Sequence, residues 1–287
     1  MVGAGALLTP GFFENGPVRA ALGVSFCAAM LSAMVGVFTI IRGQSFAGHA
    51  LADVSSAGGA GAFLFGVNPL FGFLGLAVLG AGVLEMVGVQ RARERDLATG
   101  VFLGAGLGVT ALLLYFDVTM RSTSGAAISV MFGSMFAIPP GMVKLSLGLG
   151  AGAMVVMAMI HRPLLLCAAA PELAGVQGVN VRLIGFLHLL MLALAVTLSA
   201  MTIGAILSTA LLIGPAAAAL RLARRPGRAI GLAVVIGVAA CWGGVWLAYD
   251  SYNWSGGHGW PVSFFIVTII FTIYLASGLR RDRTMRV

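Results

Sequence analysis

Charge is what this sequence has least of. Asp, Glu, Lys and Arg make up only 9% of the 287 residues, whereas 60% are hydrophobic and the mean hydropathy is +1.03. A soluble domain carries about 25% charged residues, so this composition excludes an ordinary soluble fold. It predicts an all-α, polytopic helical membrane protein. Because helical membrane chains of this length form one bundle, we expect a single domain over residues 1–287.

Cysteine and lysine are also rare, and each scarcity excludes a class of chemistry. The three cysteines, Cys27, Cys167 and Cys241, are isolated, so neither a disulfide framework nor a C-x-x-C metal site is expected. The only lysine, Lys144, does not lie in a G-x-x-x-x-G-K-[ST] phosphate loop, and H-E-x-x-H and G-x-S-x-G are absent. We therefore predict that the chain is not an enzyme and holds no permanent cofactor. If ATP drives it, a partner chain hydrolyses that ATP.

The basic residues lie in short clusters between apolar runs rather than on one continuous face. This arrangement is typical of cytoplasmic loops under the positive-inside rule and does not suit nucleic-acid binding. It predicts an N-terminus outside and a C-terminus inside. The three main clusters are Arg91, Arg93 and Arg95; Arg221, Arg224, Arg225 and Arg228; and Arg280, Arg281, Arg283 and Arg286.

Apolar runs of membrane-spanning length predict about nine transmembrane helices. The stretch 46–66 is more polar than the others but is counted as a crossing. Residues 122–138 form a shorter apolar piece that we interpret as a re-entrant or interfacial helix. The remaining crossings are predicted at 19–41, 69–90, 97–116, 142–161, 183–201, 203–222, 229–249 and 261–279.

His49 and Asp53 are the candidate metal ligands. They lie four residues apart in the stretch 46–66, so a helix presents both side chains on one face, a turn apart. An Asp at the centre of a membrane helix costs roughly 2.5–3.5 kcal/mol, and a metal on a transport path would offset that cost. Imidazole and carboxylate suit Zn, Mn and Fe(II). Two ligands per chain are too few for a closed site, whereas a symmetric dimer would supply four.

Three other interpretations of this pair remain open at this point. The pair could make a structural hydrogen bond with no metal. It could carry protons in a secondary transporter driven by an ion gradient, although no inverted repeat is visible. It could belong to an intramembrane enzyme, which would need a fuller set of ligands and a base. The small residues from Ala57 to Ala62 predict close packing of this helix against a neighbour.

A short helix is predicted between two crossings, at about 171–180. Pro171 and Glu172 begin a small-residue segment that ends at Gly178, which is the pattern of a capped helix. A simple linker needs no such order, whereas a docking surface for a soluble partner does.

Five segments, in this order and spacing, resemble the ABC-3 family of metal-ion ABC transporter permeases. The first, Ile41–Asp53, is similar to the family pattern R-x-S-F-x-G-[DH]-A-L-[AS]-[HD], with the order here being His then Asp. The others are Arg95–Gly100, Met131–Pro139, Glu172–Gly178 and Leu211–Ala217. The ordered set covers about residues 19–279.

This resemblance implies a permease of the type II ABC importer kind that moves zinc, manganese or iron. It implies a homodimer that works with ATP-binding cassette subunits and an extracellular metal-binding protein. It also implies that His49 and Asp53 occupy the family's membrane metal positions. The predicted short helix would then be the coupling helix, docking on the ATPase through Pro171, Glu172, Leu173, Ala174 and Gly178.

Overall fold

The computed structural model describes residues 12–87, 92–121, 124–133, 135–254 and 259–284, and no strand occurs among them. Long helices joined by short connections account for this part of the chain. A 3₁₀ turn, Met135–Ala137, follows the fifth helix. The α-helices are α1 (Gly16–Ile41), α2 (Ser45–Phe65), α3 (Pro69–Val87), α4 (Ala92–Arg121), α5 (Ser124–Phe132), α6 (Pro140–Ala169), α7 (Pro171–Val176), α8 (Val181–Ile203), α9 (Ala205–Leu222), α10 (Pro226–Trp254) and α11 (Val262–Thr284).

Eight helices in the described part of the chain are long and apolar enough to cross a membrane: α1, α3, α4, α6 and α8 to α11. α2 has 21 residues and so extends about 32 Å, which also matches a bilayer core. Its polar side chains lower its hydropathy, and the surrounding helices bury most of it. With α2 counted, the prediction of an all-α, polytopic membrane protein with about nine crossings is confirmed.

α5 is too short to cross, as predicted for the segment 122–138. Its nine residues extend only about 14 Å. The nine crossings therefore alternate so that α1–α2, α3–α4, α6–α8 and α9–α10 connect on the same side. Arg42, Arg182 and the Arg221–Arg228 cluster lie on that side, which the positive-inside rule predicts to be cytoplasmic. The side chains of the clusters at 91–95 and 280–286 lie outside the described residues.

α2 is held inside the bundle by close approaches of small residues. A methyl group on Gly58 would lie 2.0 Å from the Gly72 carbonyl oxygen, and one on Gly72 would lie 2.2 Å from the Gly58 oxygen. α2 and α3 therefore contact backbone to backbone, as small residues allow between membrane helices. The close packing predicted for the Ala57–Ala62 run thus occurs against α3. On its other sides α2 contacts α4, α8 and α9.

The predicted docking helix is present but shorter than expected. α6 continues through Pro163 to Ala169, and α7 covers Pro171–Val176 rather than 171–180. Gly178 has a φ of +78°, a left-handed conformation that ends the helix. Asn180 then caps α8 by accepting a hydrogen bond from the Leu183 amide at 3.0 Å. α7 is thus a separate element between two crossings.

Candidate metal-binding site

His49 and Asp53 lie on successive turns of α2 and face each other, as their spacing predicts. The distance from His49 Nε2 to Asp53 Oδ2 is 3.8 Å, with 41% of the His49 side chain and 5% of the Asp53 side chain exposed. This separation is too long for a direct hydrogen bond, so the purely structural interpretation lacks its defining contact. The pair presents one half-exposed imidazole above one buried carboxylate.

Both side chains keep buried polar atoms without hydrogen bonds. Asp53 Oδ2 and His49 Nδ1 have no partner within the residues that the structure describes. A buried, unsatisfied carboxylate oxygen costs free energy unless something binds it. A divalent cation between the two groups would satisfy the carboxylate and use a nitrogen lone pair of the imidazole. The donor set therefore fits a metal ion as a transported substrate.

The main chain of Asp53 is held by side chains of α2 and α4. Ser56 Oγ donates to the Asp53 carbonyl at 2.7 Å, and Thr110 Oγ1 lies 3.3 Å from the same oxygen. Ser56 and Thr110 also contact each other, with their oxygens 2.8 Å apart. These contacts fix the depth and rotation of α2 against α4 at the candidate ligand.

Sequence reasoning missed Ser56 and Thr110. Ser56 directly precedes the small-residue run Ala57–Ala62 and was not considered separately, and Thr110 lies 57 positions from Asp53 in an ordinary apolar helix. The available signal was a hydroxyl side chain within each of two membrane crossings, which would indicate a contact if the two side chains faced each other. That relation depends on the rotation of α4, which its sequence does not specify.

No group of three or more His, Cys, Asp or Glu side chains that could hold a metal occurs within the described ranges. His188 on α8 is fully buried, and only one of its two ring nitrogens has a possible hydrogen-bond partner among the described residues. Its Nε2 lies 3.4 Å from Thr39 Oγ1 on α1, while its Nδ1 has no hydrogen-bond partner among the residues described.

The predicted docking residues occupy α7 and the turn after it. Pro171, Glu172, Leu173 and Gly178 are exposed, whereas Ala174 is fully buried. Ala174 therefore attaches α7 to its own chain instead of offering its side chain outward. Val176, which was not singled out, is the most exposed apolar residue of this helix, at 86%.

Comparison with known proteins identifies the chain. The family model described as the ABC 3 transport family matches residues 17–280. The chain belongs to the ABC 3 transport family. The resemblance drawn from the five segments is thereby confirmed, and this ABC 3 member is a membrane permease subunit of a transport system rather than an enzyme.

Curated relatives of this ABC 3 permease have names that describe metal transport. It is 26% identical to the manganese transport system membrane protein MntC of Halalkalibacterium halodurans, over 81% of this chain and 80% of the relative. It is 28% identical to the high-affinity zinc uptake system membrane protein ZnuB of Haemophilus influenzae, over 78% of this chain and 85% of the relative.

The fold also resembles that of a solved structure. PsaBC from Streptococcus pneumoniae, determined in complex with a Fab, superposes with a TM-score of 0.79 at 23% identity, covering 93% of this chain and 92% of the other. At this level of identity, the likeness concerns the fold alone.

Proposed function

We propose that this chain imports a divalent transition metal, Mn²⁺ or Zn²⁺, across a bacterial plasma membrane, and that His49 and Asp53 bind the ion in transit. The observation that carries the proposal is the unsatisfied carboxylate of Asp53 beside a half-exposed imidazole on a membrane-crossing helix. The names of the relatives support the choice of ion, since they describe manganese and zinc transport. The gradient-driven alternative is not favoured, because the family is one of ABC transporters.

Two copies of the chain would complete the site. One imidazole and one carboxylate from each copy would supply four ligands, the usual number for zinc. Mn²⁺ accepts more oxygen ligands and would keep water in such a site. The half-exposed His49 supports this arrangement, because its ring is open to a second copy or to the ion.

Partner chains would supply the energy and the substrate. ATP would be hydrolysed on ATP-binding cassette subunits docked at α7, where Leu173 and Val176 present exposed apolar side chains. An extracellular metal-binding protein would deliver the ion to the opposite face. Both partners are expected of an ABC importer.

The first test of the proposal is metal uptake by the complete transporter with and without the pair. Uptake of radiolabelled Mn²⁺, Zn²⁺ and Fe²⁺ is measured separately in cells that express the wild-type transporter, the His49→Ala variant or the Asp53→Asn variant. Asp53→Asn preserves shape and removes the charge, so we expect uptake of the physiological ion to fall more than about tenfold in both variants. Asp250→Asn, at the far end of α10, is the matched control and should transport normally.

Binding of the same ion to the purified chain should weaken in parallel with uptake. Normal uptake by His49→Ala and Asp53→Asn would make the pair structural. A wild type that takes up none of the three ions would overturn the metal assignment itself.

A further inference from the structure

The corner between α1 and α2 is a short, hydrogen-bonded turn. The Arg42 amide donates to the Phe38 carbonyl at 2.9 Å, and the Gln44 amide donates to the Thr39 carbonyl at 2.8 Å. Within the turn, Arg42 Nε donates to Gln44 Oε1 at 3.2 Å. α2 begins at the next residue, so His49 lies little more than one turn beyond this corner. A movement of the corner therefore moves the start of α2.

Two contacts connect the end of α1 to the beginning of α8. A methyl group on Gly185 would lie 3.4 Å from Arg42 Nη2, so the guanidinium rests directly against the backbone of α8. One turn deeper, Thr39 Oγ1 lies 3.4 Å from His188 Nε2. Thr39 and Arg42 are three residues apart at the end of α1, and Gly185 and His188 are three residues apart on α8. The two contacts therefore join the helices on successive turns.

Arg42 shares its contact point on α8 with Glu85 of α3. The hypothetical Gly185 methyl group would lie 4.0 Å from Glu85 Oε2, so the α3 carboxylate reaches the same point on α8. Glu85 Oε1 also lies 3.7 Å from Arg182 Nε. The Arg182 side chain is 82% exposed, however, and an exposed ion pair of this kind contributes little to stability. Arg42 is thus the contact between the α1–α2 corner and the start of α8.

We propose that Arg42 is a positioning residue that transmits movement of the docking segment to the metal pair. α7 is joined to α8 by a short turn, and Arg42 lies against Gly185 near the start of α8. When a docked ATPase displaces the base of α8, the guanidinium carries the displacement to the α1–α2 corner, and the short turn carries it to His49. This inference rests on the proposed function, because it assumes that α7 docks the ATPase and that α2 binds the ion.

The test distinguishes a loss of coupling between ATP hydrolysis and transport from a loss of metal binding and from a loss of ATPase association. Arg42→Gln and Arg42→Lys are compared with wild type in the complete transporter, reconstituted in vesicles with its ATP-binding and metal-binding partners. The measurements are radiolabelled Mn²⁺ and Zn²⁺ transported per ATP hydrolysed, ATPase subunits retained on purification, and metal bound by the chain. Arg224→Gln, an exposed arginine at the same membrane face, is the matched control.

For Arg42→Gln we expect ions transported per ATP to fall about tenfold, within the usual range of coupling between sites. ATPase retention and metal binding should stay within about twofold of wild type, because neither surface contains Arg42. Arg42→Lys keeps the charge but loses the planar fork against Gly185, so it should restore only part of the coupling. Arg224→Gln should behave as wild type.

Gly185→Ala provides a second, independent variant. Alanine is a better helix former than glycine, so this change should not impair folding of α8. Its methyl group would come into van der Waals contact with Arg42 Nη2, at 3.4 Å, and would restrict the guanidinium. We therefore expect a fall in ions transported per ATP in the same direction as in Arg42→Gln, but smaller. Gly231→Ala, where a methyl group meets nothing within 4 Å, is its control. If Arg42→Gln does not reach the membrane, the same three measurements on Gly185→Ala test the inference in its place.

A wild-type number of ions transported per ATP hydrolysed in Arg42→Gln would overturn the inference. A parallel loss of metal binding would also overturn it, because it would place Arg42 in the metal-binding site itself. These failures are distinct from failure of the proposed function, which would appear as a wild type that transports neither ion or retains no ATPase.

Discussion

Different neighbours contact the side chain and the main chain of Asp53. Its side chain faces His49 at 3.8 Å, while its main-chain carbonyl is bonded by Ser56 and contacted by Thr110 of α4. The Thr110 hydroxyl oxygen also lies 2.8 Å from the Gly106 carbonyl oxygen of its own helix, so its one hydrogen is shared between the two carbonyls. Thr110 therefore links the position of the carboxylate to α4 without touching the carboxylate.

Replacing Thr110 with Val keeps the shape of the side chain and removes this link. Hydrogen bonds between membrane helices average about 0.6 kcal/mol and reach about 1.7 kcal/mol, so we expect a loss of about 1 kcal/mol in the free energy of unfolding. Metal uptake should fall as well, because α2 loses its fixed rotation. Denaturation in mixed micelles and uptake in cells measure the two effects.

Thr119→Val on the same helix is the control. Among the residues that the structure describes, the Thr119 hydroxyl bonds only carbonyls of α4 itself, those of Tyr115 and Phe116, and its side chain is exposed. Its loss should leave stability and uptake nearly unchanged. Equal effects of the two substitutions would show that the contact with α2 contributes nothing.

At the scale of elements, the contact between α2 and α3 depends on the absence of side chains. Gly58 and Gly72 approach so closely that a Cβ on either would overlap the other's carbonyl oxygen. Nothing can yield there except the backbone, since the opposing atoms belong to helices rather than to flexible side chains. The position of α2 beside α3 is therefore sensitive to a single methyl group.

Gly72→Ala should destabilise the protein by about 1–3 kcal/mol, the usual cost of overfilling a packed contact. Gly75→Ala, one turn along α3, is the matched control because a methyl group there meets nothing within 4 Å. Thermal unfolding of both variants in detergent compares them directly. A Tm for Gly72→Ala equal to that of Gly75→Ala would contradict the close approach of the two helices.

At the scale of the whole molecule, α7 is the element that reaches outward on the predicted cytoplasmic side. Leu173 is 50% exposed and Val176 is 86% exposed, while Ala174 is buried against the chain. Exposed apolar side chains beside a membrane-spanning bundle are typical of a surface that another protein covers. The proposed function assigns that surface to the ATPase.

The double substitution Leu173→Asp and Val176→Asp should reduce co-purification of the ATPase by about tenfold or more, because it introduces carboxylates into an apolar contact. Metal binding by the chain should be unchanged, since α7 lies outside α2. Leu279→Asp, at the same membrane face on α11 and 75% exposed, tests the effect of the charge alone. Full retention of the ATPase by the double variant would place the docking surface elsewhere.

Composition, periodicity and motif order were sufficient to predict the membrane class, about nine crossings, the short α5 and the family. These properties depend on residues close together along the chain: the length of an apolar run, the i, i+4 spacing of His49 and Asp53, and the breaks at Pro171 and Gly178. Local patterns determine helices because backbone hydrogen bonds within a membrane must be made within each segment. The bounds of α6 and α7 were less accurate, because α6 continues through Pro163 beyond the predicted end of its crossing.

Only the tertiary structure decided which residues meet. Thr110 and Asp53 are 57 positions apart, and Thr39 and His188 are 149 positions apart. Whether such residues touch depends on the rotation and depth of each helix in the bundle. Small residues at many positions along a helix permit several packings of similar energy, and the full set of contacts selects one of them. The sequence therefore predicted the candidate pair His49 and Asp53, whereas the contacts of Thr110 with Asp53 and of Arg42 with Gly185 appeared only in the folded bundle.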